Sequence, residues 1–477
     1  MFPRHYTVYC MAFEGHGPTT DRVRGFCVRQ VVIRLLAVVA LAGGTPLAVT
    51  AQGPAWRVEV EEARALERAA QEAGRRGDNE EYLRNIERAV ALRPHHPYLI
   101  YQLADARFLT SDTVGALDAL SEIAEMGIAI RPQDEPDFAP LADDPRFKRI
   151  VGRLEDNGTP SDRSSVAFTL PEADFLPEGV AADPETGAFF VSSVRRKIIA
   201  RVVDGRVASL LEVDPVLSPM GMIFDRERRI LWVAASAVAE GLGTDSVSFG
   251  TAALLAFDPH TGERRGRWDA PEDGGRHWFG DVTMGPDGTI YVSDSLGPAV
   301  FRLTDAGVLE PLPSSEDLLS PQGVAATADG SALYVADYST GITRLDLRDG
   351  GLRVLDYPAD RTLLGIDGIY LIGHDRLIAV QNGVTPTRIL EIRLTPDGDS
   401  IADVATLDSH RAMEDPTLGV VAADAFWYVA NSQWSKFAPD RAGAEKASDP
   451  TILRLALGGG ADPVDARPGV GDARHGG

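Results

Sequence analysis

The strongest constraint on the fold of this chain is a segment that recurs six times. It reads "PEGVAADPETGAFFVSS" from Pro177, "PMGMIFDRERRILWVAA" from Pro219, "FGDVTMGPDGTIYVSD" from Phe279, "PQGVAATADGSALYVAD" from Pro321, "IDGIYLIGHDRLIAVQN" from Ile366 and a shortened "TLGVVAADAFWYVAN" from Thr417. The residues equivalent to Gln322 follow one another at steps of 42, 60, 42, 45 and 51 residues. A period of roughly 40 to 50 residues with two or more strand signals is typical of β-propeller blades, because one small sheet cannot bury both faces alone. The sequence therefore predicts a six-bladed β-propeller.

Each copy also carries the local chemistry of a blade. In the fourth copy, an apolar run is followed by a turn at Asp329-Gly330, a second apolar run and a third strand signal, "ITRLDL". The long second step contains "AVAEGLGTDSVSFG" at 237–250, which is polar and Gly-rich and predicts a loop over one face of the ring. The flanking segments "SVAFTL" (165–170) and "TILRLAL" (451–457) are predicted to pair and close the ring, which removes exposed sheet edges.

The charge of the chain restricts its partners. The formal net charge is -23, with 25% charged and 44% hydrophobic residues. The composition is that of a folded globular protein. Nucleic acid and anionic membranes are excluded as expected partners, because both require basic patches that replace counterions.

The first 51 residues have the pattern of a signal peptide. Three arginines, Arg24, Arg29 and Arg34, precede the apolar run "LLAVVALAGG", and Val49-Thr50-Ala51 matches a signal-peptidase site. The run is too short to span a bilayer. The alternative interpretation is a buried helix of the mature protein. The sequence therefore predicts export, to the periplasm or out of the cell, of a mature chain without cysteine, since both cysteines precede this site.

Residues 52–156 are predicted to form a separate helical domain. Apolar residues recur there with helical periodicity, which is interrupted at Gly77-Asp78, at Arg93-Pro94 and at Ser111-Asp112, 34 residues after the first break. The stretch "GDNEEYLRNIERAVALRP" resembles the second half of a tetratricopeptide repeat, a resemblance that implies docking of a protein partner. The alternative is a helical cap that only packs on the propeller. Residues 157–164 have linker composition and 458–477 that of a disordered tail.

The positions equivalent to Gln322 are predicted to face one another across one mouth of the central channel. They are Glu178, Met220, Gly280, Gln322, Asp367 and Leu418. Three of them carry side-chain oxygens, and Asp281, beside Gly280, adds a fourth. Carboxylate and amide oxygens suit a hard divalent cation such as calcium. The alternative is a solvated channel mouth in which these side chains bind only backbone or water.

The propeller, 165–457, resembles the family of senescence marker protein, gluconolactonase and luciferin-regenerating enzyme. Its members are six-bladed propellers that hold one divalent cation in the channel and mostly hydrolyse lactones. The family's metal ligands are a Glu before Gly in the first repeat, matched by Glu178; an Asn before Gly in the fourth, replaced by Gln322; and an Asp before Gly in the fifth, matched by Asp367. Its Asn-Asp substrate pair in the third repeat is reduced here to Gly280-Asp281.

The resemblance implies a metal-dependent hydrolase that opens a lactone or small ester. In that mechanism the cation polarises the carbonyl, and Asp367 or Asp281 activates water as general base. The predicted substrate contacts are Asp281, within the third repeat, and His277, in the loop before it. His410 lies in the loop before the sixth repeat. Four polar residues at the ends of second strands are interpreted as inter-blade hydrogen-bonding groups: Asp294, Asp337, Asn382 and Asn431.

A second class of function stays open. The fourth and third copies equally resemble NHL-type repeats, whose propellers often bind proteins or ligands without catalysis. Combined with a helical repeat, such a propeller is an exported scaffold that binds a ligand or another protein.

Overall fold

The computed structural model of the chain describes residues 54–438 and 446–458. The predicted signal peptide, 1–51, and all but the first residue of the predicted tail lie outside the described residues. Within the described part, no helix combines the length and apolarity that a membrane span requires.

The helical region forms two consecutive antiparallel hairpins and a fifth helix. Together these helices bury a core that includes Ile86, Ile100, Leu120 and Phe138. The helices are α1 (Ala55–Arg76), α2 (Asn79–Leu92), α3 (Pro97–Leu109), α4 (Thr113–Glu125) and α5 (Pro145–Asn157), with 3-10 turns at Pro132–Asp134 and Pro136–Leu141.

The predicted helix breaks are confirmed, and each has a local cause. Gly77 ends α1 in the left-handed conformation at φ 75°, which glycine adopts without strain. The side chain of Asp78 then accepts a hydrogen bond from the Glu81 amide at 3.0 Å, and Asp112 accepts one from the Gly115 amide at 2.9 Å. Both are N-cap interactions that satisfy free amides at a helix start. The 34-residue spacing therefore corresponds to two helical hairpins, while their identity as tetratricopeptide repeats stays a prediction.

The described residues from Ser165 onward form a six-bladed β-propeller of antiparallel four-stranded sheets, as predicted. The first blade contains β2 (Pro177–Asp183), β3 (Ala188–Ser193), β4 (Ile198–Val203) and β5 (Arg206–Glu212). The second contains β6 (Ser218–Asp225), β7 (Ile230–Ser236), β8 (Ala252–Phe257) and β9 (Arg264–Asp269). The third contains β10 (Phe279–Met284), β11 (Ile290–Asp294), β12 (Ala299–Leu303) and β13 (Leu309–Pro311). The fourth and fifth are β14 (Pro321–Ala326), β15 (Ala332–Asp337), β16 (Gly341–Asp346) and β17 (Leu352–Val354); and β18 (Ile366–Ile372), β19 (Arg376–Gln381), β20 (Arg388–Leu394) and β21 (Ile401–Asp408).

The sixth blade joins the two ends of the propeller. It contains β22 (Gly419–Ala422), β23 (Ala425–Val429), β24 (Thr451–Ala456) and, as its outermost strand, β1 (Ser165–Thr169). Ser165 pairs with Arg454 and Thr169 with Thr451 in an antiparallel register. The predicted pairing of the flanking segments is confirmed. The insertion at 237–250 is a loop between β7 and β8, also as predicted.

A glycine follows the position equivalent to Gln322 in five of the six repeats, where the innermost strands converge on the channel, and the third repeat has Asp281 there instead. A Cβ atom on Gly179 would lie 2.6 Å from the Met220 carbonyl oxygen of the next blade. One on Gly323 would lie 2.5 Å from the Asp367 carbonyl oxygen. Because real Cβ atoms do not approach backbone this closely, a side chain here would push neighbouring blades apart. Close packing around the channel thus explains why Gly recurs at this position.

We expect Gly323→Ala to destabilise the protein by about 1–3 kcal/mol, the range typical of overpacking. Gly280→Ala is the matched control, because its Cβ would meet only Gln322 Oε1, at 3.9 Å. Urea denaturation of both variants measures the difference. Equal stability of the two variants would contradict the packing argument.

The helices lie against the loops at the channel mouth of the fourth and fifth blades. The buried Arg388 guanidinium donates hydrogen bonds to the carbonyls of Met126 and Gly127, at 3.2 and 3.0 Å, beyond the C-terminal end of α4. A cation is favourable there because the last carbonyls of a helix carry partial negative charge. The Ala129 amide donates to the Thr385 carbonyl at 2.7 Å. The helical region therefore borders the channel mouth.

The predicted linker, 157–164, is bound to the propeller along much of its length. Its first residue, Asn157, still belongs to α5. The amides of Arg163 and Ser164 donate to the Asp408 carboxylate, each at 2.9 Å, and the Ser161 amide donates to the Ser409 carbonyl at 2.7 Å. The division into two domains stays a prediction, and these bonds hold the connecting segment in place.

Candidate functional site

One pocket opens into the channel at the mouth formed by the starts of the innermost strands. It encloses about 80 Å³. Of the six positions that the repeat predicts at this mouth, Met220 is buried in the core between blades, and the other five line the pocket. The full lining is Glu178, Trp278, Gly280, Asp281, Ser295, Ser320, Gln322, Tyr338, Asp367, Asn382, Asp415, Thr417, Leu418 and Trp434.

Glu178 is held at the junction of the first and sixth blades. Its backbone carbonyl accepts hydrogen bonds from the Thr417 hydroxyl at 2.7 Å and the Leu418 amide at 3.1 Å. Its carboxylate oxygen Oε2 accepts a hydrogen bond from Trp434 Nε1 at 2.8 Å, and the residue is 9% exposed. Ring closure therefore fixes the position of this carboxylate.

Asp367 belongs to a chain of side-chain hydrogen bonds that joins the fourth and fifth blades. Tyr338 donates its hydroxyl to Asn382 Oδ1 at 3.0 Å. Asn382 Nδ2 in turn donates to Asp367 Oδ2 and to the Pro416 carbonyl, both at 2.9 Å. The amide thus orients one carboxylate oxygen, Oδ2.

Two further carboxylates complete the acidic lining. Asp281 is 6% exposed, and its Oδ2 accepts a hydrogen bond from the Val324 amide of the next blade at 3.2 Å. Asp415 comes from the loop that precedes β22. Among the described residues that line the pocket, none is Lys, Arg or His. Four carboxylates therefore share a small pocket without a basic side chain in its described lining.

The enclosure raises the pKa of all four carboxyl groups. Burial raises the pKa of Asp281 to about 7. Burial, reinforced by the negative charges of Asp415 and Asp281, raises the pKa of Asp367 to about 7. Burial raises the pKa of Asp415 to about 6 and that of Glu178 well above its usual value, with Asp367 adding repulsion to the latter. The folded protein thus holds these groups together at a free-energy cost, an arrangement that occurs often at functional sites.

Gln322 places an amide beside these carboxylates. Its Nε2 donates to Ser320 Oγ at 3.2 Å, and its Oε1 lies 3.9 Å from where a Cβ on Gly280 would stand. The amide oxygen is therefore directed toward the space that the small residue Gly280 leaves open.

His277 lies outside the residues that line the pocket. Its Nδ1 is 2.5 Å from Asp294 Oδ2, and its Nε2 is 3.3 Å from Asp273 Oδ1. The hydrogen bond with Asp294 raises the pKa of His277. The histidine is 6% exposed, and its ring centroid lies 6.2 Å from that of Phe301 in an edge-on arrangement and 6.3 Å from that of Phe279 in a tilted one. His410 also lies outside the lining, with Nδ1 accepting from the Ala412 amide.

The four polar residues at the ends of second strands are all hydrogen-bonded. Asp294, Asp337 and Asn431 bind backbone amides of loops or strands beside their own blades. Asn382 differs, because it joins the Asp367 carboxylate to the next blade and also lines the pocket. The inter-blade interpretation therefore holds for Asn382 and is wrong for Asp294, Asp337 and Asn431, whose bonds tie segments of their own blades.

Several pocket residues were missed by the sequence interpretation. They come from outside the repeat: Trp278, Tyr338 and Asp415 from loops, and Trp434 from the start of a short helix, α6 (Trp434–Phe437). The two indole rings lie 5.9 Å apart between centroids. Asp415 carried one signal, an acidic residue three positions before the Leu418 ring position.

Within the described residues, no group of three or more His, Cys, Asp or Glu side chains has the arrangement of a metal site. The predicted ligand set contains only two carboxylates, those of Glu178 and Asp367, and its third member is the amide of Gln322. It is therefore not a group of that kind. Its chemistry fits a hard cation, since all three are oxygen donors in a pocket of negative charge.

Comparisons with known proteins concern the propeller. No family model matches the sequence, and no curated protein matches it. Similar solved structures include luciferin-regenerating enzyme (TM-score 0.45, 14% identity, covering 62% of this chain and 96% of that one). Others are virginiamycin B lyase of Staphylococcus aureus (0.40, 15%, 61% and 99%) and a calcium-binding protein, regucalcin, of Agrobacterium tumefaciens (0.40, 15%, 61% and 93%). The six-bladed fold that the family resemblance implied is shown by the six four-stranded sheets of the chain itself.

Proposed function

We propose that the protein is an exported, metal-dependent hydrolase that opens a lactone or small ester in the propeller channel. The observation that carries the proposal is the convergence of four carboxylates, two buried (Glu178 and Asp281) and two half-buried (Asp367 and Asp415), with no basic side chain in the described lining of their pocket. The four carboxylates repel one another in an enclosed site, because they carry like charges. A bound cation would reduce that repulsion.

Glu178, Gln322 and Asp367 are the residues that would hold the cation, and calcium is the ion that suits them best. Hydrogen bonds from Trp434 and Asn382 engage Oε2 of Glu178 and Oδ2 of Asp367. The second oxygen of each carboxylate and Gln322 Oε1 would be the groups that hold the ion, since all are oxygen donors. The hydrogen bonds from Trp434 and Asn382 would then orient the carboxylates of Glu178 and Asp367 toward the ion.

Asp281 is the proposed general base. A bound divalent cation supplies Lewis-acid polarisation of a carbonyl oxygen. Asp281 would take the proton of the attacking water at its carboxylate, which the Val324 amide holds in orientation. A pKa of about 7 suits a base that works near neutral pH. Trp278 and Trp434 provide an apolar wall beside it, and the acidic lining favours a neutral substrate over an anionic one.

Calorimetric titration of calcium into the chelated full chain tests the proposal, followed by hydrolysis assays with γ- and δ-lactones. We expect one binding site per chain and calcium-dependent hydrolysis. Binding without hydrolysis would leave a cation-binding scaffold. Absence of binding would contradict the proposal and favour the non-catalytic scaffold.

Gln322→Asn is expected to bind calcium as tightly as the wild type or more tightly, because the shorter side chain restores the ligand reach that the family resemblance implies. Gln322→Leu keeps the volume and removes the oxygen, so we expect weaker binding, by about tenfold for one lost ligand. The same titration measures both variants. Equal affinities for Asn and Leu would show that residue 322 is not a ligand.

Export and a protein partner of the helices are further parts of the proposal. Export rests on the signal-peptide pattern before Gln52. The position of the helices at the channel mouth, with Arg388 joined to the end of α4, would bring a docked protein close to the pocket. N-terminal sequencing of the mature protein tests the first statement.

A further inference from the structure

The loop between β15 and β16 joins the helical region to the channel pocket. From the helical side, Arg64 in α1 donates a hydrogen bond to Ser339 Oγ at 3.1 Å. Arg93, the residue directly after α2, donates to the Ser339 carbonyl. The preceding residue of the loop, Tyr338, lines the channel pocket. Two arginines of the helical region therefore hold a loop whose other side belongs to the pocket.

This loop reaches Asp367 along two routes. Tyr338 donates its hydroxyl to Asn382 Oδ1 at 3.0 Å, and Asn382 Nδ2 donates to Asp367 Oδ2 at 2.9 Å. The Tyr338 carbonyl also accepts a hydrogen bond from the amide of Gly365, two residues before Asp367, at 2.9 Å. One route runs through side chains and the other through the backbone. A displacement of Tyr338 therefore acts both on the carboxylate and on the strand that carries it.

The segments around Tyr338 are closely packed. A Cβ atom on Gly383, the residue after Asn382, would lie 2.7 Å from Tyr338 Oη and 2.5 Å from Gly365 Cα. The Gly383 amide donates to the Gly365 carbonyl at 3.0 Å. Close-packed groups transmit displacements, because no free volume is left to absorb them. The position of the loop is therefore passed on to the Asn382 amide.

A second contact with the helical region reaches the residue before Asn382. Arg388 Nε donates to Gln381 Oε1 at 2.7 Å, while its Nη1 donates to the two carbonyls beyond α4. Gln381 is fully buried, and its Nε2 donates to the carbonyls of Thr362 and Leu364, in the segment before β18. Contacts with the helical region therefore reach Asn382 from two directions.

We propose that the helical region completes the channel site, with Arg64 and Arg93 as positioning residues that act on the Asp367 carboxylate through Tyr338. The inference rests on the proposed role of Asp367 as a cation ligand. It goes beyond that role, because it makes the affinity of the channel for a cation depend on residues outside the propeller. A helical cap that only packs on the propeller would have no such effect.

Charge and position have effects of opposite sign on cation affinity. Arg64 and Arg93 are positively charged, so by electrostatics alone their removal would leave calcium binding unchanged or tighten it. Loss of their hydrogen bonds to Ser339 would free the loop and weaken binding, because groups that orient metal ligands typically contribute about tenfold or more to metal affinity. Weaker binding after the loss of two positive charges therefore identifies the positional effect.

Calorimetric titration of calcium into the chelated full chain tests the inference. Tyr338→Phe removes only the hydroxyl, and we expect it to weaken calcium binding about fivefold, since the tyrosine acts through Asn382. Arg64→Met/Arg93→Met keeps unbranched side chains and removes both guanidinium groups, and we expect a loss of about threefold, since these groups lie further from the ligand. Because both changes act on the same loop, the combined variant should lose less than the product of the two separate losses.

Matched variants separate position from stability and charge. Tyr334→Phe removes a hydroxyl of the same blade that donates to the Gly398 carbonyl at 3.0 Å, outside the pocket lining. Arg76→Met/Arg88→Met removes two guanidinium groups of α1 and α2 that form ion pairs with glutamates of the helices. We expect both controls to bind calcium at least as tightly as the wild type, and urea denaturation compares the stability of all variants.

The outcomes distinguish this inference from the proposed function. If the wild type bound calcium and Arg64→Met/Arg93→Met bound it as tightly as its control, the inference would fail and the proposed function would stand. Wild-type affinity in Tyr338→Phe would overturn the inference as well, whether or not the arginine variant folds. Losses that multiply fully in the combined variant would show that the arginines act by another route, against the inference. No calcium binding by the wild type would refute the proposed function and the inference together.

Discussion

Replacing Asp367 by alanine is expected to abolish calcium binding. The variant removes one of the two carboxylates proposed as ligands and leaves Glu178 and Gln322 as the only remaining protein ligands. A calcium site with one carboxylate and one amide is too weakly charged to compete with water for a hard cation. The calorimetric signal of the wild type should therefore disappear, together with any rise in melting temperature on addition of calcium.

The variant should fold without calcium. Asp367 is one of four carboxyl groups whose pKa values are raised by their enclosure, and removing it reduces their mutual repulsion. The cost is the hydrogen bond from Asn382. Asp375→Ala is the matched control, since Asp375 is exposed in the same blade, outside the pocket. Unchanged calcium affinity in Asp367→Ala would place the ion elsewhere and remove the main support of the hydrolase proposal.

The sequence predicted the architecture because the propeller is built from repeats. Each blade has the same strand pattern, and five of the six have the same glycine near the channel, so the period itself identifies the fold. The ring of Glu178, Gln322 and Asp367 was predictable for the same reason. Equivalent positions of a closed ring face one another, and all three line one pocket.

The rest of the pocket was not predictable from the period. Asp415, Trp278 and Trp434 come from connecting segments, whose sequences differ from blade to blade and follow no pattern. Trp434 reaches Glu178 only because ring closure brings residues 256 positions apart into contact. His277, a predicted substrate contact, lies outside the pocket lining and is hydrogen-bonded to Asp294, so its role stays a prediction.

The position of the helices on the propeller could not be predicted from the sequence either. An arginine in a strand of a predicted propeller is normally a solvated residue, yet Arg388 is buried and burial lowers its pKa to about 10. Its partners are two carbonyls from residues more than 260 positions away. Long-range contacts of this kind leave no local signal, which explains why the sequence could not predict that the helices border the channel mouth.

Asp281→Asn is expected to stabilise the calcium-free protein at neutral and alkaline pH. The folded-state pKa of Asp281 is about 7, against 3.8 for an unperturbed group. Below the lower value both states are protonated, so the carboxyl group costs nothing. As pH rises toward 7 the unfolded state loses its proton first, and the wild type loses stability relative to the amide. Above pH 7 the difference is constant, at about 4 kcal/mol from 1.36 kcal/mol per pH unit.

Urea denaturation of wild type and variant at pH 5 and pH 8, with chelator present, measures this difference. The gap should be much larger at pH 8. Asp287→Asn is a control of opposite sign in the same blade, because hydrogen bonds from the Thr289 amide and hydroxyl lower the pKa of Asp287. It should lose stability at pH 8. If Asp281→Asn were instead less stable than the wild type at pH 8, the Asp281 carboxylate would be compensated by other groups, and its proposed role as a base poised near neutral pH would fail.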